Sequence, residues 1–129
     1  MRTSEALLEF DFGSFTGCTI AELEPREEWK RFNVFRSGTR APGGESMLDV
    51  QYRVTAEMDR LREEYPEDVV ALISHGDALR AALLYYLGMP LDHFLRLEIS
   101  PASVTSLRVD DWGARLLCLN HTSSQPPIR

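Results

Sequence analysis

The feature that most constrains this chain is a short apolar run that passes directly into a helix. The run is Asp68 to Ser74 (DVVALIS), and it is continuous and rich in β-branched residues. Such a run is typical of a strand buried on both faces, as in parallel sheets. A helical pattern follows from about Asp77 to Leu87, and Gly88 is suited to end it. The run therefore predicts one strand and one helix of an α/β fold.

A second, longer helix is predicted upstream of this run. Ser46 is a suitable N-cap, Asp49 stands at the third helical position, and Pro66 closes the pattern. Apolar residues recur between them at spacings of three and four, at Met47, Val50, Val54, Met58, Leu61 and Tyr65. The segment before it, Ser37 to Ser46 (SGTRAPGGES), is rich in turn-forming residues and predicts a loop.

The remaining pattern predicts smaller elements around these helices. They are a loose helical stretch from Thr19 to Phe35, a short helix from Leu91 to Leu97, strands from Ser103 to Asp110 and from Arg115 to Asn120, and a mobile tail from Thr122 to Arg129. A turn containing Trp112 and Gly113 makes the strand pair an antiparallel hairpin. Helices interleaved with a buried strand favour an α/β sandwich over an all-α or all-β fold.

Composition restricts the class of protein. With 129 residues, 43% hydrophobic and 26% charged, the chain predicts one domain over residues 1–129. Its net charge of -6 argues against binding nucleic acid or a membrane surface. The N-terminal residues lack a leader pattern, so we expect a cytoplasmic protein. We expect no metal and no organic cofactor, because ligand spacing and nucleotide fingerprints are both missing from the sequence.

The junction Ser74-His75-Gly76 is the most informative position for chemistry. Ligands of open α/β sheets bind at the carboxyl ends of strands. A helix N-terminus placed there offers free N–H groups and a positive dipole end, which suit a phosphate, and Gly76 lets the backbone approach closely. Histidine at such a turn is often a hydrogen-bonded structural residue, so both interpretations of His75 stay open.

Three segments resemble the histidine phosphatase superfamily (phosphoglycerate mutase-like) and occur in the family's order. LISHGDALRAALLYYLGMP resembles the stretch with the family's second catalytic histidine. LLEFDFGSFTGCTIAEL resembles the segment with its catalytic acid, and PGGES with the following helix resembles its substrate-side loop. The resemblance implies a three-layer α/β/α sandwich that acts on small phosphate esters, as a phosphomonoester hydrolase or a phosphomutase.

The resemblance also implies roles for individual residues. His75 would contact the phosphoryl group, and Glu9 would act as general acid toward the leaving oxygen. Gly76, Glu45 and Ser46 would lie near the substrate. The residues alone leave other interpretations open: Glu9 as a solvated carboxylate, and Glu45 as a charge that complements the helix dipole.

Two family features are missing or reduced in this sequence. Relatives begin with a strand ending in Arg-His-Gly whose histidine is phosphorylated, and a later serine- and arginine-bearing helix start is missing or reduced to Arg2-Thr3. The resemblance therefore implies an N-terminally truncated domain. Losing the nucleophile would remove most catalysis through a phosphohistidine. Losing the strand would leave a sheet edge unpaired, from which we expect a homodimer.

The sequence leaves three interpretations of function open. The first is a phosphatase-family enzyme whose biological form is longer. The second is a noncatalytic subunit that binds a phosphorylated ligand or a protein partner through the same pocket. The third is a purely structural α/β subunit, for which neither His75 nor Glu9 needs to be accessible.

Overall fold

The computed structural model describes residues 1–123. Its α-helices are α1 (Ile20–Leu23), α2 (Glu27–Val34), α3 (Met47–Glu64) and α4 (Gly76–Tyr86), its strands are β1 (Val104–Asp110) and β2 (Gly113–His121), and its 3-10 helices are Glu5–Leu7, Gly13–Phe15 and Leu91–Arg96. The predicted tail, Thr122 to Arg129, lies outside the described residues from position 124 onward.

Helix α3 begins with the capping box that the sequence predicts. The Ser46 hydroxyl accepts a hydrogen bond from the Asp49 amide, and the Asp49 carboxylate accepts one from the Ser46 amide. These two bonds satisfy amides that a helix start leaves without partners. Neither α3 nor any other helix in the described part of the chain is long and apolar enough to span a membrane.

The core lies where α3 packs against α4. Helix α4 buries mainly alanine and leucine, and its small side chains let α3 approach closely. The Gln51 side chain of α3 donates to the Ala81 carbonyl of α4 at 2.8 Å. The buried hydrophobic residues form one cluster: Phe10, Phe15, Leu23, Phe32, Ala41, Met47, Val50, Val54, Ala78, Ala81, Ala82, Leu83, Leu84, Leu91, Phe94 and Leu97.

Proline divides the stretch predicted as loosely helical, Thr19 to Phe35. Helix α1 ends at Leu23, Pro25 follows, and α2 begins at Glu27. Proline has no N–H and its ring clashes with the preceding turn, so the helical pattern cannot continue through it. The two short helices bring Leu23 and Phe32 into the core, and Trp29 of α2 packs against Phe32 and Phe15.

The predicted hairpin is confirmed. Strands β1 and β2 pair antiparallel, with Asp110 opposite Gly113 at the turn and Val104 opposite His121 at the open end. These two strands are the entire sheet in the described residues.

The predicted buried strand from Asp68 to Ser74 is wrong. Residues 69–74 belong to no strand and make no backbone-to-backbone hydrogen bond within residues 1–123. Val69 is fully exposed and Ile73 is 84% exposed. A strand needs a neighbour to pair with its N–H and C=O groups, and apolar sequence alone cannot supply one. The segment leads directly into α4. Among residues 1–123, no strand pairs with it and nothing buries its side chains at Val69 and Ile73.

Candidate active site

His75 lies at the junction of this extended segment and α4. It is the N-cap of α4 with extended backbone, and its side chain makes no capping hydrogen bond. The first hydrogen bond of the helix runs from the Leu79 amide to the His75 carbonyl. The amides of Gly76, Asp77 and Ala78 therefore have no acceptor within the helix. An exposed imidazole beside unpaired amides is an arrangement that suits an anion.

Glu9 reaches this junction from the irregular segment that follows the first 3-10 helix. Its Oε2 lies 3.9 Å from His75 Nδ1, and its Oε1 accepts a hydrogen bond from the Phe10 amide at 2.8 Å. Nearby, the Ser74 hydroxyl donates to the Leu7 carbonyl at 2.7 Å, which ties the two segments together. The 3.9 Å separation is too long for a direct hydrogen bond, so both groups remain available to a ligand.

A cavity of about 280 Å³ opens beside His75. Ser74, His75, Gly76 and Leu79 form one wall, and residues 99–103 form the other. Gly76 has room here, because a Cβ at this position would meet only the Ile99 carbonyl, at 4.0 Å. The fold itself does not require glycine at position 76, and glycine leaves this wall of the cavity without a side chain. A larger cavity between α3 and α4, of about 340 Å³, contains none of the predicted site residues.

Glu45 and Ser46 are both engaged inside the protein. Arg53 binds the Glu45 carboxylate with two N–H groups, at 2.9 and 3.1 Å, and the Asp11 amide donates to the same carboxylate at 2.9 Å. Burial alone would raise the pKa of Glu45, but the bonds from Arg53 and Asp11 lower that pKa below its ordinary value. Ser46 caps α3. Their predicted place near the substrate stays a prediction.

Two arginines and an aspartate lie behind the start of α4. Arg36 is 5% exposed and stacks between Phe32 and Phe94, with its guanidinium carbon 4.6 and 4.2 Å from the ring centroids. Asp77 lies 3.4 Å from Arg80 and 3.9 Å from Arg36. Burial lowers the pKa of Arg36, and the Asp77 carboxylate opposes that shift. The two arginines offset the negative charge of Asp77 at the start of α4.

Sequence reasoning did not find Arg53 or the 99–103 wall of the cavity. Arg53 lies beside the apolar stripe of α3, a place where charged residues are common, so the pattern contained no signal for it. Residues 99–103 connect two elements and approach His75 only in the folded chain. Within residues 1–123, no three His, Cys, Asp or Glu side chains converge in a way that could hold a metal ion.

Comparison with known proteins identifies the family. The model of the histidine phosphatase superfamily (branch 1) matches residues 1–122. This chain belongs to the histidine phosphatase superfamily. It is 35% identical over 112 residues to Probable phosphoglycerate mutase GpmB of Yersinia pestis, a match that covers 85% of this chain and 51% of the relative. The chain thus spans about half the length of the curated relatives it matches.

Solved structures show the same fold. A mutant phosphoserine phosphatase of Entamoeba histolytica in complex with phosphoserine superposes with a TM-score of 0.83 at 20% identity, over 93% of this chain and 61% of that one. The YhfR protein of Bacillus stearothermophilus superposes with a TM-score of 0.85 at 22% identity, over 94% and 61% of the two chains. The predicted α/β fold of phosphoglycerate mutase-like type is therefore confirmed.

Proposed function

We propose that this chain forms the His75–Glu9 part of a site that processes small phosphate esters, as a phosphomonoester hydrolase or a phosphomutase. The observation that carries the proposal is the proximity of the Glu9 carboxylate and the start of α4 to His75, whose side chain and Gly76 line the cavity. His75 Nδ1 stands 3.9 Å from Glu9 Oε2, and the amides from Gly76 to Ala78 have no acceptor within the helix. The family supports the same chemistry, since the curated relative is named Probable phosphoglycerate mutase GpmB.

Each group has a distinct task in this proposal. The helix amides and the His75 imidazole contact the nonbridging oxygens of the phosphoryl group, where negative charge is concentrated. Glu9 gives its proton to the bridging oxygen as the bond from phosphorus to that oxygen breaks, so that the product leaves as an alcohol. The nucleophile is the remaining requirement, because the sequence contains no Arg-His-Gly motif. We therefore propose that the 129 residues bind the ester, and that fast turnover needs a phosphate-accepting histidine from elsewhere.

The test combines turnover with binding. Hydrolysis of p-nitrophenyl phosphate and titration with inorganic phosphate are measured on the chain, on His75→Ala and on a matched His93→Ala control, after each is shown to be folded. We expect saturable phosphate binding that is weakened at least tenfold in His75→Ala and kept in the control, and any hydrolysis should be lost in the same variant. Hydrolysis that survives in His75→Ala would contradict the proposal.

The alternative is a noncatalytic subunit that binds a phosphorylated ligand or a protein partner, and one observation favours it. Within the described part of the chain, the backbone of residues 69–74 makes no backbone-to-backbone hydrogen bond, and the apolar side chains of Val69 and Ile73 are exposed. Exposed strand-like segments pair readily with another chain.

We propose that a second copy pairs here to form a homodimer. Light scattering should give the mass of a dimer, and Ile73→Lys should shift it to the monomer; a monodisperse monomer for the unaltered chain would contradict the dimer.

A further inference from the structure

We infer that Arg53 is a positioning residue that holds the Glu9 carboxylate beside His75. The inference rests on the proposed function, because it assigns Arg53 to the same site. Arg53 does not reach the cavity, so it acts through the segment that contains Glu9.

The first set of contacts lies directly around Glu9. Arg53 Nη1 donates to the Ala6 carbonyl at 2.7 Å and to the Leu8 carbonyl at 2.8 Å, and its Nη2 donates to the Glu9 carbonyl at 3.1 Å. Ala6 lies in the first 3-10 helix, but residues 8–11 belong to no helix or strand, so no regular hydrogen-bond pattern fixes the backbone around Glu9. The three bonds from one guanidinium fix it instead.

The second set of contacts fixes the backbone on the other side of Glu9. Together, the contacts of Arg53 with Ala6, Leu8, Glu9 and Glu45 form what we call the brace. Arg53 Nε and Nη2 donate to the two oxygens of Glu45, and the Glu45 carboxylate accepts the Asp11 amide. A guanidinium has five N–H donors, and the five bonds of Arg53 match that number. The backbone is thereby held on both sides of Glu9, from Ala6 to Asp11.

The brace controls the geometry of the site because Glu9 has little else to locate its side chain. Among residues 1–123, the Glu9 carboxylate accepts one hydrogen bond, from the Phe10 amide, and its Oε2 lies 3.9 Å from His75 Nδ1. Arg53 itself is well anchored, since α3 is capped and packed in the core. A planar, five-donor group is needed for this set of contacts, and lysine offers three donors without the fork geometry.

The direct test needs no turnover. In the isotopically labelled chain, the His75 ring resonances and the exchange rate of the Phe10 amide are compared among variants. Glu9→Gln removes the carboxylate near the ring and sets the reference shift. We expect Arg53→Gln to move the His75 resonances in the same direction and to raise Phe10 exchange at least tenfold. Arg60→Gln is the matched control, because Arg60 lies on the same helix and pairs only with Glu57 and Glu64 among the described residues.

Two further variants keep the inference testable if Arg53→Gln does not fold. Glu45→Gln removes the far end of the brace and should give the same changes at smaller amplitude. Arg53→Lys should fall between the unaltered chain and Arg53→Gln. Unchanged His75 resonances and unchanged Phe10 exchange in folded Arg53→Gln, Arg53→Lys or Glu45→Gln would overturn the inference.

A kinetic comparison of two phosphate esters applies to any form of the protein that catalyses hydrolysis. A general acid matters most for a poor leaving group, so an alkyl phosphate is compared with p-nitrophenyl phosphate. Misplacing the acid by about 1 Å costs on the order of 100-fold, which should appear in kcat for the alkyl ester with KM nearly unchanged. Equal losses on both esters would overturn the positioning role. Absence of turnover in every form bears on the proposed function alone, and the resonance comparison then decides about Arg53.

Discussion

Replacing Arg36 by methionine should leave stability almost unchanged, although Arg36 is among the most buried polar residues described. The guanidinium stacks on Phe32 and Phe94 and donates to Asn33 at 2.8 Å, while Nε and Nη1 have no hydrogen-bond partner within the described residues. The substitution loses two cation–π contacts of about 1–2 kcal/mol each and a hydrogen bond of about 1 kcal/mol. It also removes two unsatisfied donors, each of which costs about 1–3 kcal/mol.

These opposing contributions nearly cancel. We therefore expect the free energy of unfolding of Arg36→Met to lie within about 1 kcal/mol of that of the unaltered chain. Asp77 keeps Arg80 as its partner, so no buried charge is left alone. Arg36→Ala should be less stable than Arg36→Met by about 2–5 kcal/mol, because it leaves a cavity between the two rings. Urea unfolding measures both differences in free energy of unfolding, provided that the slope against urea concentration is the same for all three proteins. Equal destabilisation by methionine and alanine would refute this reasoning, since it would show that the charge itself stabilises the fold.

Two further predictions concern the site. Gly76→Ala should raise the free energy of unfolding by up to about 1 kcal/mol, because alanine favours a helix and its Cβ has room. The added methyl group should weaken phosphate binding, because it projects from the cavity wall beside the helix amides. Unchanged phosphate affinity in a titration would count against the predicted anion position. The pKa of Glu45 is lowered in the folded chain, so its contribution to stability is present above the ordinary carboxyl pKa of about 4.3 and is lost as the pH falls through the folded value. Urea unfolding from pH 6 to pH 3 should therefore show the unaltered chain and Glu45→Gln converging in stability on acidification, and a constant difference would contradict the role of this carboxylate.

The helices could be predicted from sequence because their signals are local. The capping pair Ser46 and Asp49, the apolar stripe of α3, and Gly88 after α4 all act within a few residues of the element that they define. The strand predicted over Asp68 to Ser74 failed because a strand depends on a neighbour. Its apolar residues indicate burial, but nothing within the run supplies a pairing partner.

The site residues also divide into those that local sequence could place and those that it could not. His75 and Gly76 could be placed at a helix N-terminus from the pattern alone, and the structure puts them there. The partnership with Glu9 came from the family resemblance, since the two residues are far apart in sequence and meet only in the fold. Arg53 was not predictable, because its five bonds go mostly to backbone carbonyls, whose positions no residue pattern encodes.

The most direct measurement of the central claim is the dissociation constant of inorganic phosphate for the chain and for His75→Ala, with His93→Ala as control. The account predicts saturable binding that perturbs the Gly76 amide and weakens at least tenfold only in His75→Ala. Equal affinity in all three proteins, or no saturable binding to the folded unaltered chain, would contradict a phosphate-ester site at His75.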